Sequence, residues 1–262
     1  MDLELSGRVA IVAASSRGLG KAVALGLARE GAAVAMCARN EAALAAAADE
    51  IRRETGAGVL ARPTDVTDPG QVRSLVAETM ERFGRVDICV ANAGGPPSKS
   101  FAETTLEEWR AAADLNLIST VAFAREVLPL MQRQRWGRFI AIISVSVKQP
   151  LEGLILSNSV RSAVSGLVKS LANEYGPYNV LVNAACPGYT ATARLEALLE
   201  KAAASRGVSR QEVEAGWTAH IPQGRLGRPE EFADLVVFLA SARASYINGV
   251  SIAVDGGFVR GL

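Results

Sequence analysis

The residues best suited to chemistry come early, in the run Ala14-Ser15-Ser16-Arg17-Gly18-Leu19-Gly20, between an apolar stretch and a helical pattern. Glycines in a strand-to-helix turn let the backbone approach a pyrophosphate, and the helix N-terminus supplies free N–H groups and a positive dipole. Many such turns carry glycine for geometry only, so the turn alone is a weak signal. Its place after the first strand-like run favours a dinucleotide site.

The charges around this turn indicate which dinucleotide it would bind. Arg17 lies within the turn, and Arg39 follows the second strand-like run, where the adenosine ribose of a bound dinucleotide would lie. An acidic residue at that place holds the ribose 2′-hydroxyl of NAD, whereas an arginine suits a 2′-phosphate. We therefore predict that NADP(H) is preferred over NAD(H). The alternative is that both arginines are solvated surface residues.

The composition excludes several kinds of site. The chain has 262 residues, with 28 Lys and Arg, 27 Asp and Glu, three Cys and one His. Because His220 is the only histidine, an HExxH zinc site is excluded, and His220 lies in no nucleophile-elbow sequence. The formal net charge of +1 favours neither nucleic acid nor an anionic membrane. We expect a small-molecule substrate and no metal, nucleic-acid or membrane partner.

Cysteine usage and the first residues indicate the compartment. Cys37, Cys89 and Cys186 are far apart, form no CxxC pair and cannot all be paired, which is typical of a reducing environment. The first five residues carry two acids where a secretory signal needs a basic segment. No apolar run approaches the ~20 residues that span a bilayer. We expect a soluble, cytoplasmic protein.

Short apolar, β-branched runs alternate along the chain with longer segments of helical periodicity. This alternation predicts a parallel sheet covered by helices on both faces. No Pro- or Ser-rich stretch divides the chain, so we predict one α/β domain over residues 1–262. Its fold would be a Rossmann-type, doubly wound, seven-stranded parallel sheet. The predicted strands are 8–13, 34–38, 58–61, 87–91, 138–143, 179–185 and 250–254, and the predicted helices are 18–30, 40–55, 68–83, 105–135, 154–175 and 229–240.

Two parts of the chain depart from the simple alternation. The helical pattern over 105–135 is expected to break near Asn116. Residues 189–228 are less regular, although Ser209 and Glu212 form a capping box that predicts a short helix. We expect residues 189–228 to form a lid over the substrate, with apolar side chains that either line a pocket or pack together. Tyr189, at the start of this lid, is likewise interpreted either as a residue of the pocket or as packing within the lid.

Several motifs carry a family resemblance over essentially the full length. Gly18-Leu19-Gly20 matches the end of a Thr-Gly-x-x-x-Gly-x-Gly turn, and Asn92-Ala93-Gly94 follows the fourth strand. Further matching motifs lie in residues 221–231 and 246–257. The chain resembles the short-chain dehydrogenase/reductases, in particular β-ketoacyl-carrier-protein reductase-like members.

The resemblance implies a set of cofactor-binding residues. Asp65-Val66 matches the adenine-contacting position after strand three, and Pro187-Gly188 with Thr190 and Thr192 resembles the segment that closes on the nicotinamide carboxamide. It also implies a homotetramer, or a dimer. The predicted cofactor-binding residues are Ser15, Arg17, Gly18, Leu19, Gly20, Arg39, Asp65, Val66, Asn92, Ala93, Gly94, Arg161, Pro187, Gly188, Thr190 and Thr192.

Two departures from the family pattern bear on the chemistry. Ala13-Ala14 replaces Thr-Gly in the phosphate turn; alanine fits there only with a negative φ, so we expect a shifted turn. Family catalysis uses Ser and then Tyr-x-x-x-Lys. Ser144 fits the serine, and the register of residues 162–171 places Ser157 in the tyrosine position and Arg161 in the lysine position.

These substitutions remove the usual proton donor. A serine hydroxyl is a far weaker acid than tyrosine, and a guanidinium stays charged, although Arg161 could still bind ribose hydroxyls. Lys148, four residues after Ser144, is the candidate donor if it is partly desolvated beside Arg161; the alternative is a solvated loop lysine. The predicted catalytic residues are Asn116 (by resemblance a structural and proton-relay residue), Ser144, Lys148, Ser157 and Arg161.

Together these features predict an NADP(H)-dependent oxidoreductase that interconverts a carbonyl and an alcohol, as 3-oxoacyl reductases do. One alternative is an NADP(H)-binding but catalytically silent sensor or interaction protein, which the Ser157/Arg161 pair motivates. A second alternative is non-redox chemistry on the same scaffold, because a fold does not determine function.

Overall fold

Seven parallel strands form one sheet in the computed structural model, which describes residues 2–261. The strand order is β3-β2-β1-β4-β5-β6-β7, so the direction of winding reverses between β1 and β4. This arrangement confirms the predicted doubly wound Rossmann-type sheet. The strands are β1 Val9–Val12, β2 Ala33–Ala38, β3 Val59–Pro63, β4 Ile88–Ala91, β5 Gly137–Ile142, β6 Val180–Pro187 and β7 Ser251–Val254.

Helices cover both faces of the sheet, as predicted. Buried side chains of α1, α2 and α9 form the apolar core on one face, and those of α3, α5 and α6 form the core on the other. No helix among residues 2–261 is long and apolar enough to cross a membrane. The helices are α1 Gly18–Arg29, α2 Glu41–Thr55, α3 Pro69–Phe83, α4 Leu106–Ala113, α5 Ser119–Gln134, α6 Ile155–Tyr175, α7 Ala193–Arg206, α8 Arg210–Thr218 and α9 Pro229–Ala240.

The predicted break in the helical region 105–135 is a single π-helical turn over Asp114–Ile118, between α4 and α5. A π turn inserts an extra residue into the helix and shifts the faces of the flanking helices relative to each other. Asn116 lies in this turn and is buried. The turn therefore carries a polar side chain into the molecule at the point where the helix changes register.

Residues 189–228 form a two-helix segment that is closed at its base. Thr190 and Gly227 are joined in a parallel bridge, so the two ends of the predicted lid meet. The Ser209 capping box begins α8, as predicted. Helix α7 was not predicted, because only Leu195 and Leu199 of its fourteen residues are buried and its apolar pattern is weak. With Val213 of α8, these two leucines form a small core separate from the main one.

Charged side chains at the amino edge of the sheet are paired with one another. The buried Asp87 carboxylate accepts hydrogen bonds from Arg8, from Arg85 and from the backbone N–H of Val9. The guanidinium of Arg8 also lies 3.8 Å from the ring centre of Trp136. These charges tie β1 and β4 together and leave no carboxylate there for a ligand.

Candidate active site

The phosphate turn links the carboxyl end of β1 to α1. Ser15 is buried; its Oγ donates to the carbonyl of Val12 (2.8 Å) and accepts from the N–H of Cys37 (3.1 Å). The side chain of Ser15 therefore holds the turn against β2 and faces away from the N-terminus of α1. The predicted cofactor-binding Ser15 is thus occupied by contacts within the fold, and its N–H also donates to the carbonyl of Cys37 (3.0 Å).

The expectation that Ala14 would need a negative φ was wrong. Ala14 has φ +49°, in the left-handed region that favours glycine, so alanine takes a glycine-like conformation here. A Cβ on Gly20 would lie 2.3 Å from the carbonyl oxygen of Ala14, so the first turn of α1 packs directly against this backbone. That close packing imposes the left-handed conformation on alanine, at a cost of roughly 1–2 kcal/mol.

The N-terminus of α1 is open to a ligand. Arg17 occupies the position before the helix, and its side chain makes no capping hydrogen bond, so the first N–H groups of α1 lack a side-chain acceptor. Gly18 has φ +57°, and Leu19 and Gly20 complete the turn. These free N–H groups and the helix dipole suit an anion.

Arg39 and Asp65 lie at the carboxyl ends of β2 and β3. Asp65 accepts hydrogen bonds from Thr67, which lower the pKa of its carboxyl, and the nearby charge of Arg39 lowers it further. Val66 is buried, so only its backbone faces the edge. Arg17 and Arg39 are exposed, and among the described residues neither forms an ion pair.

The loop Asn92-Ala93-Gly94 after β4 is hydrogen-bonded to the residue that follows β1 and to the π-helical turn. The amide of Asn92 donates to the carbonyl of Ala13 (3.2 Å), and the amide of Asn116 donates to the carbonyl of Gly94 (2.9 Å). The Oδ1 atom of Asn116 is buried and has no partner among the described residues. An acceptor of this kind is costly to leave unpaired, which indicates a place for water or a ligand.

Arg161 lies at the centre of the carboxyl edge. Its Nη1 donates to the carbonyls of Ile142 and Ile143 (both 3.2 Å), and its Nη2 donates to those of Ala93 and Gly94 (3.4 and 3.2 Å). Burial, and secondarily the charge of Arg194, lowers the pKa of Arg161 to about 10, so the guanidinium is charged at neutral pH. The four terminal N–H groups are all directed at backbone, and only Nε is left for a ribose hydroxyl.

The serine turn follows β5. The Oγ of Ser144 accepts from the N–H of Ser146 (3.1 Å), which leaves its own O–H free to donate. The Oγ of Ser146 is buried and has no partner within the described residues. Ser157 is also nearly buried, one helical turn before Arg161 on α6.

Lys148 ends the serine turn, and its side chain is exposed. Of the two alternatives for Lys148, the structure therefore favours the solvated loop lysine over the partly desolvated one. The ammonium is nonetheless placed at the carboxyl edge: burial raises the pKa of the Cys186 thiol to about 11, and the positive charges of Lys148 and, more weakly, Arg161 oppose that rise. Lys148 and Arg161 thus both lie near the end of β6.

The segment after β6 returns across this edge. Gly188 donates its N–H to the carbonyl of Val254 (3.0 Å), and a Cβ there would lie 2.7 Å from Cβ of Asp255. Thr190 is buried, and Thr192 caps α7 through an N–H···O bond from Leu195. The methyl group of Thr192 would be 3.5 Å from a Cβ on Gly18, so the start of the lid lies beside the phosphate turn.

Sequence reasoning missed Arg194. It lies in the first turn of α7 and donates to the carbonyl of Pro96 (2.7 Å), which fastens the lid to the loop after β4. The residue as a whole is exposed, and partial burial of its guanidinium lowers the pKa of that group. A positive charge in the first turn of a helix opposes the helix dipole, and this unfavourable placement was the available signal that Arg194 has another role.

A cavity of about 840 Å³ opens between the lid and the turn over residues 149–154. Tyr189 is part of its wall, next to the segment after β6 that carries Gly188. The size matches sites for small molecules. The lining residues are Ser98, Gln149, Pro150, Leu151, Glu152, Gly153, Leu154, Tyr189, Leu198, Lys201, Ala202, Ser205, Arg206, Gly216, Trp217, His220, Phe258 and Arg260.

The sheet order and the glycine turn after β1 define a fold of the Rossmann type. A family model described as enoyl-(acyl carrier protein) reductase matches residues 13–259. The 3-oxoacyl-[acyl-carrier-protein] reductase FabG of Aquifex aeolicus is 34% identical over 257 residues, which cover 98% of this chain and 99% of the relative. FabG of Escherichia coli is 33% identical over 255 residues, which cover 97% and 98%.

Solved structures agree with these relatives. L-sorbose reductase from Gluconobacter frateurii, complexed with NADPH and L-sorbose, has a TM-score of 0.95 and 33% identity, with all of both chains covered. An actinorhodin polyketide ketoreductase variant with NADPH has a TM-score of 0.93 and 31% identity, also over 100% of both chains. The chain belongs to the short-chain dehydrogenase/reductase family of oxidoreductases and is similar to its 3-oxoacyl-carrier-protein reductases.

The strain at Ala14 predicts a stabilising substitution. Ala14→Gly should raise the free energy of unfolding by about 1 kcal/mol, because glycine adopts the left-handed region without the steric cost of a Cβ. Ala43→Gly, at an exposed position inside α2, should lower it by a similar amount. Urea unfolding measures both, and a loss of stability in Ala14→Gly would contradict the strain.

The contacts of Arg161 predict that lysine cannot replace it. Arg161→Lys should lower the free energy of unfolding by about 2–3 kcal/mol, because one ammonium cannot reach carbonyls on both loops and leaves buried acceptors unpaired. Arg125→Lys, at an exposed position on α5, should change it by less than about 0.5 kcal/mol. Equal stability of wild type and Arg161→Lys would show that these hydrogen bonds do not support the fold.

Proposed function

We propose that the chain is an NADP(H)-dependent oxidoreductase that interconverts a carbonyl and an alcohol. One observation carries this proposal: the carboxyl edge of the sheet holds an open phosphate turn with the exposed Arg17 and Arg39, and Ser144 follows β5 at the same edge. The NADPH complexes of the sorbose and actinorhodin reductases support the choice of cofactor.

The residues present fit a nicotinamide dinucleotide. The N-terminus of α1 and the backbone of Gly18–Gly20 would hold the pyrophosphate, because free N–H groups are available there. Arg17 and Arg39 are exposed cations suited to a 2′-phosphate, and Asp65 lies beside the adenosine side of the site. The unpaired Oδ1 of Asn116 and the segment 187–192 would face the nicotinamide half. When bound, the nicotinamide supplies or accepts the hydride.

Ser144 would orient the substrate carbonyl. Its oxygen already accepts the N–H of Ser146, so its hydroxyl hydrogen is free to donate to a carbonyl oxygen. Arg161 would act as a positioning residue, since its terminal N–H groups hold the loops after β4 and β5 in place. Its positive charge would also favour the negative charge that develops on the carbonyl oxygen during reduction.

Lys148 would deliver the proton to that oxygen. Ammonium and phenol groups exchange protons over a similar pH range, whereas guanidinium and serine hydroxyl groups do not. Lys148 lies four residues beyond Ser144, and its exposed ammonium can recover a proton from water after each turnover. In the oxidative direction the same group would accept the proton of the alcohol.

The cofactor preference is testable by titration. Wild-type protein should bind NADPH at least about 10-fold more tightly than NADH, and Arg39→Gln should remove that preference, because the guanidinium pairs with the 2′-phosphate. Arg53→Gln, on the exposed side of α2, should leave it unchanged. Nicotinamide fluorescence measures both affinities, and equal binding of the two dinucleotides by wild type would overturn the NADP(H) preference.

The proton donor is testable by kinetics. Lys148→Ala should lower kcat at least about 100-fold for any ketone that wild type reduces, while the affinity for NADPH stays within two-fold. Lys148→Arg separates the two roles of the side chain, since arginine keeps the charge but cannot release the proton, and it should be as inactive as Lys148→Ala. Full activity of Lys148→Arg would assign the group an electrostatic role only.

A panel of ketones, aldehydes and alcohols with NADP(H) tests the proposed reaction itself. Oxidation of NADPH with any carbonyl compound, or its formation with any alcohol, supports the proposal. Tight NADPH binding with no turnover across the panel would instead indicate the catalytically silent protein.

A further inference from the structure

The cavity beneath the lid combines an aromatic wall with a rim of positive charge. The ring of Tyr189 stacks on Trp217, with ring centres 5.0 Å apart, and meets the edge of Phe258 at 5.1 Å. Leu151, Leu154 and Leu198 extend the apolar surface. Three rings that brace one another present a rigid wall, which suits an apolar or aromatic part of a ligand.

The charged side chains at the mouth of this cavity are mostly of one sign. Lys201, Arg206 and Arg260 line it against a single carboxylate, that of Glu152, and His220 also contributes to the lining. The chain as a whole has a net charge of only +1. The excess of positive charge is therefore local to the cavity and is no consequence of a basic composition.

These cations lack carboxylate partners among the described residues, unlike others nearby. Within residues 2–261, Arg206 and Arg260 form no ion pair, whereas Arg210 on the same lid pairs with Glu196 and Glu214. Lys201 uses one donor for the carbonyl of Ser98 (2.5 Å), so two N–H groups of its ammonium are available.

The positive charge of Arg206 at the mouth of the cavity also acts on Tyr189 in its wall. Burial raises the pKa of the Tyr189 hydroxyl, and the charge of Arg206 works against that rise. A positive charge that acts on the wall acts equally on any ligand group lying against it. Walls of low polarity strengthen such an interaction, because they exclude water from between the charges.

We propose that this cavity selects substrates that carry an anionic group, a carboxylate or a phosphate, on an apolar or aromatic body. The inference rests on the proposed function, since it treats the cavity as the substrate pocket of the reductase. The anionic group would lie at the rim with Arg206 and Arg260, and the apolar body would lie along Tyr189 and Trp217.

The test is a binding measurement with matched probes. Isothermal titration of the NADPH-loaded protein compares 4-phenylbutyrate, 2-phenylethyl phosphate and the neutral 4-phenylbutyramide. We expect the carboxylate, the phosphate or both to bind at least 10-fold more tightly than the amide, with an affinity that falls as the NaCl concentration rises. The tighter of the two anions identifies which group the rim prefers.

Substitution of the arginines tests which side chains cause the preference for anionic probes. The double variant Arg206→Gln/Arg260→Gln should reduce the preference for the anion to less than about three-fold and leave the affinity for the amide unchanged. Arg53→Gln/Arg82→Gln removes the same charge from exposed positions on α2 and α3 and should retain the full preference.

Each remaining outcome counts against the proposal. It is overturned if the amide binds as tightly as both anions, if the Arg206→Gln/Arg260→Gln protein keeps the preference, or if no probe binds below about 10 mM. Because binding is measured without turnover, an inactive protein that still prefers anions would refute the reductase proposal and leave the anionic site standing.

Discussion

Four hydrogen bonds from one buried guanidinium hold the carboxyl edge of the sheet together. The loops after β4 and β5 both begin where strand pairing ends, so their carbonyls need partners from outside the sheet; that of Gly94 also accepts from Asn116. Arg161 satisfies the carbonyls of Ile142, Ile143, Ala93 and Gly94 from a single position on α6. The placement of Ser144 and of the Asn92-Ala93-Gly94 loop depends on that tie.

The two edges of the sheet use charge in opposite ways. At the amino edge, the buried Asp87 forms ion pairs with Arg8 and Arg85, so charge there serves the fold. At the carboxyl edge Arg17, Arg39 and Lys148 are exposed and face no carboxylate within bonding distance among residues 2–261. Unpaired cations on one edge repel one another and attract anions, which agrees with the proposed binding of a phosphorylated cofactor there.

Much of the fold could be predicted from local rules. Asn40 and Gly56 bound α2, Asp68 and Pro69 begin α3, and the helix breaks at Asn116, because caps and periodicity depend on neighbours in the sequence. Helix α7 escaped prediction because its alanine-rich sequence buries only two side chains. The sign of φ at Ala14 was wrongly predicted, because packing of Gly20 outweighs the local preference of alanine.

The candidate site was less predictable, because many of its contacts join residues that are far apart in the sequence. The positions of Ser144, Ser157 and Arg161 follow from spacing and resemblance, but the partners of Arg161 lie up to 68 residues away in sequence and depend on how β4 meets α6. The hydrogen bond from Arg194 to the carbonyl of Pro96 joins residues 98 positions apart in the sequence. Contacts of this range arise from the assembled fold, and no local pattern encodes them.

The two departures at Ser157 and Arg161 are physically linked, because they lie one turn apart on α6 and are both buried. A lysine at the second position is useful when a tyrosine at the first must have its pKa lowered. A serine hydroxyl is too weak an acid to benefit from that charge. Once the tyrosine is absent, a residue that binds four carbonyls serves the site better than one mobile ammonium. In the proposed reaction the proton would then come from outside α6, and the turn that carries Ser144 presents Lys148 at this edge.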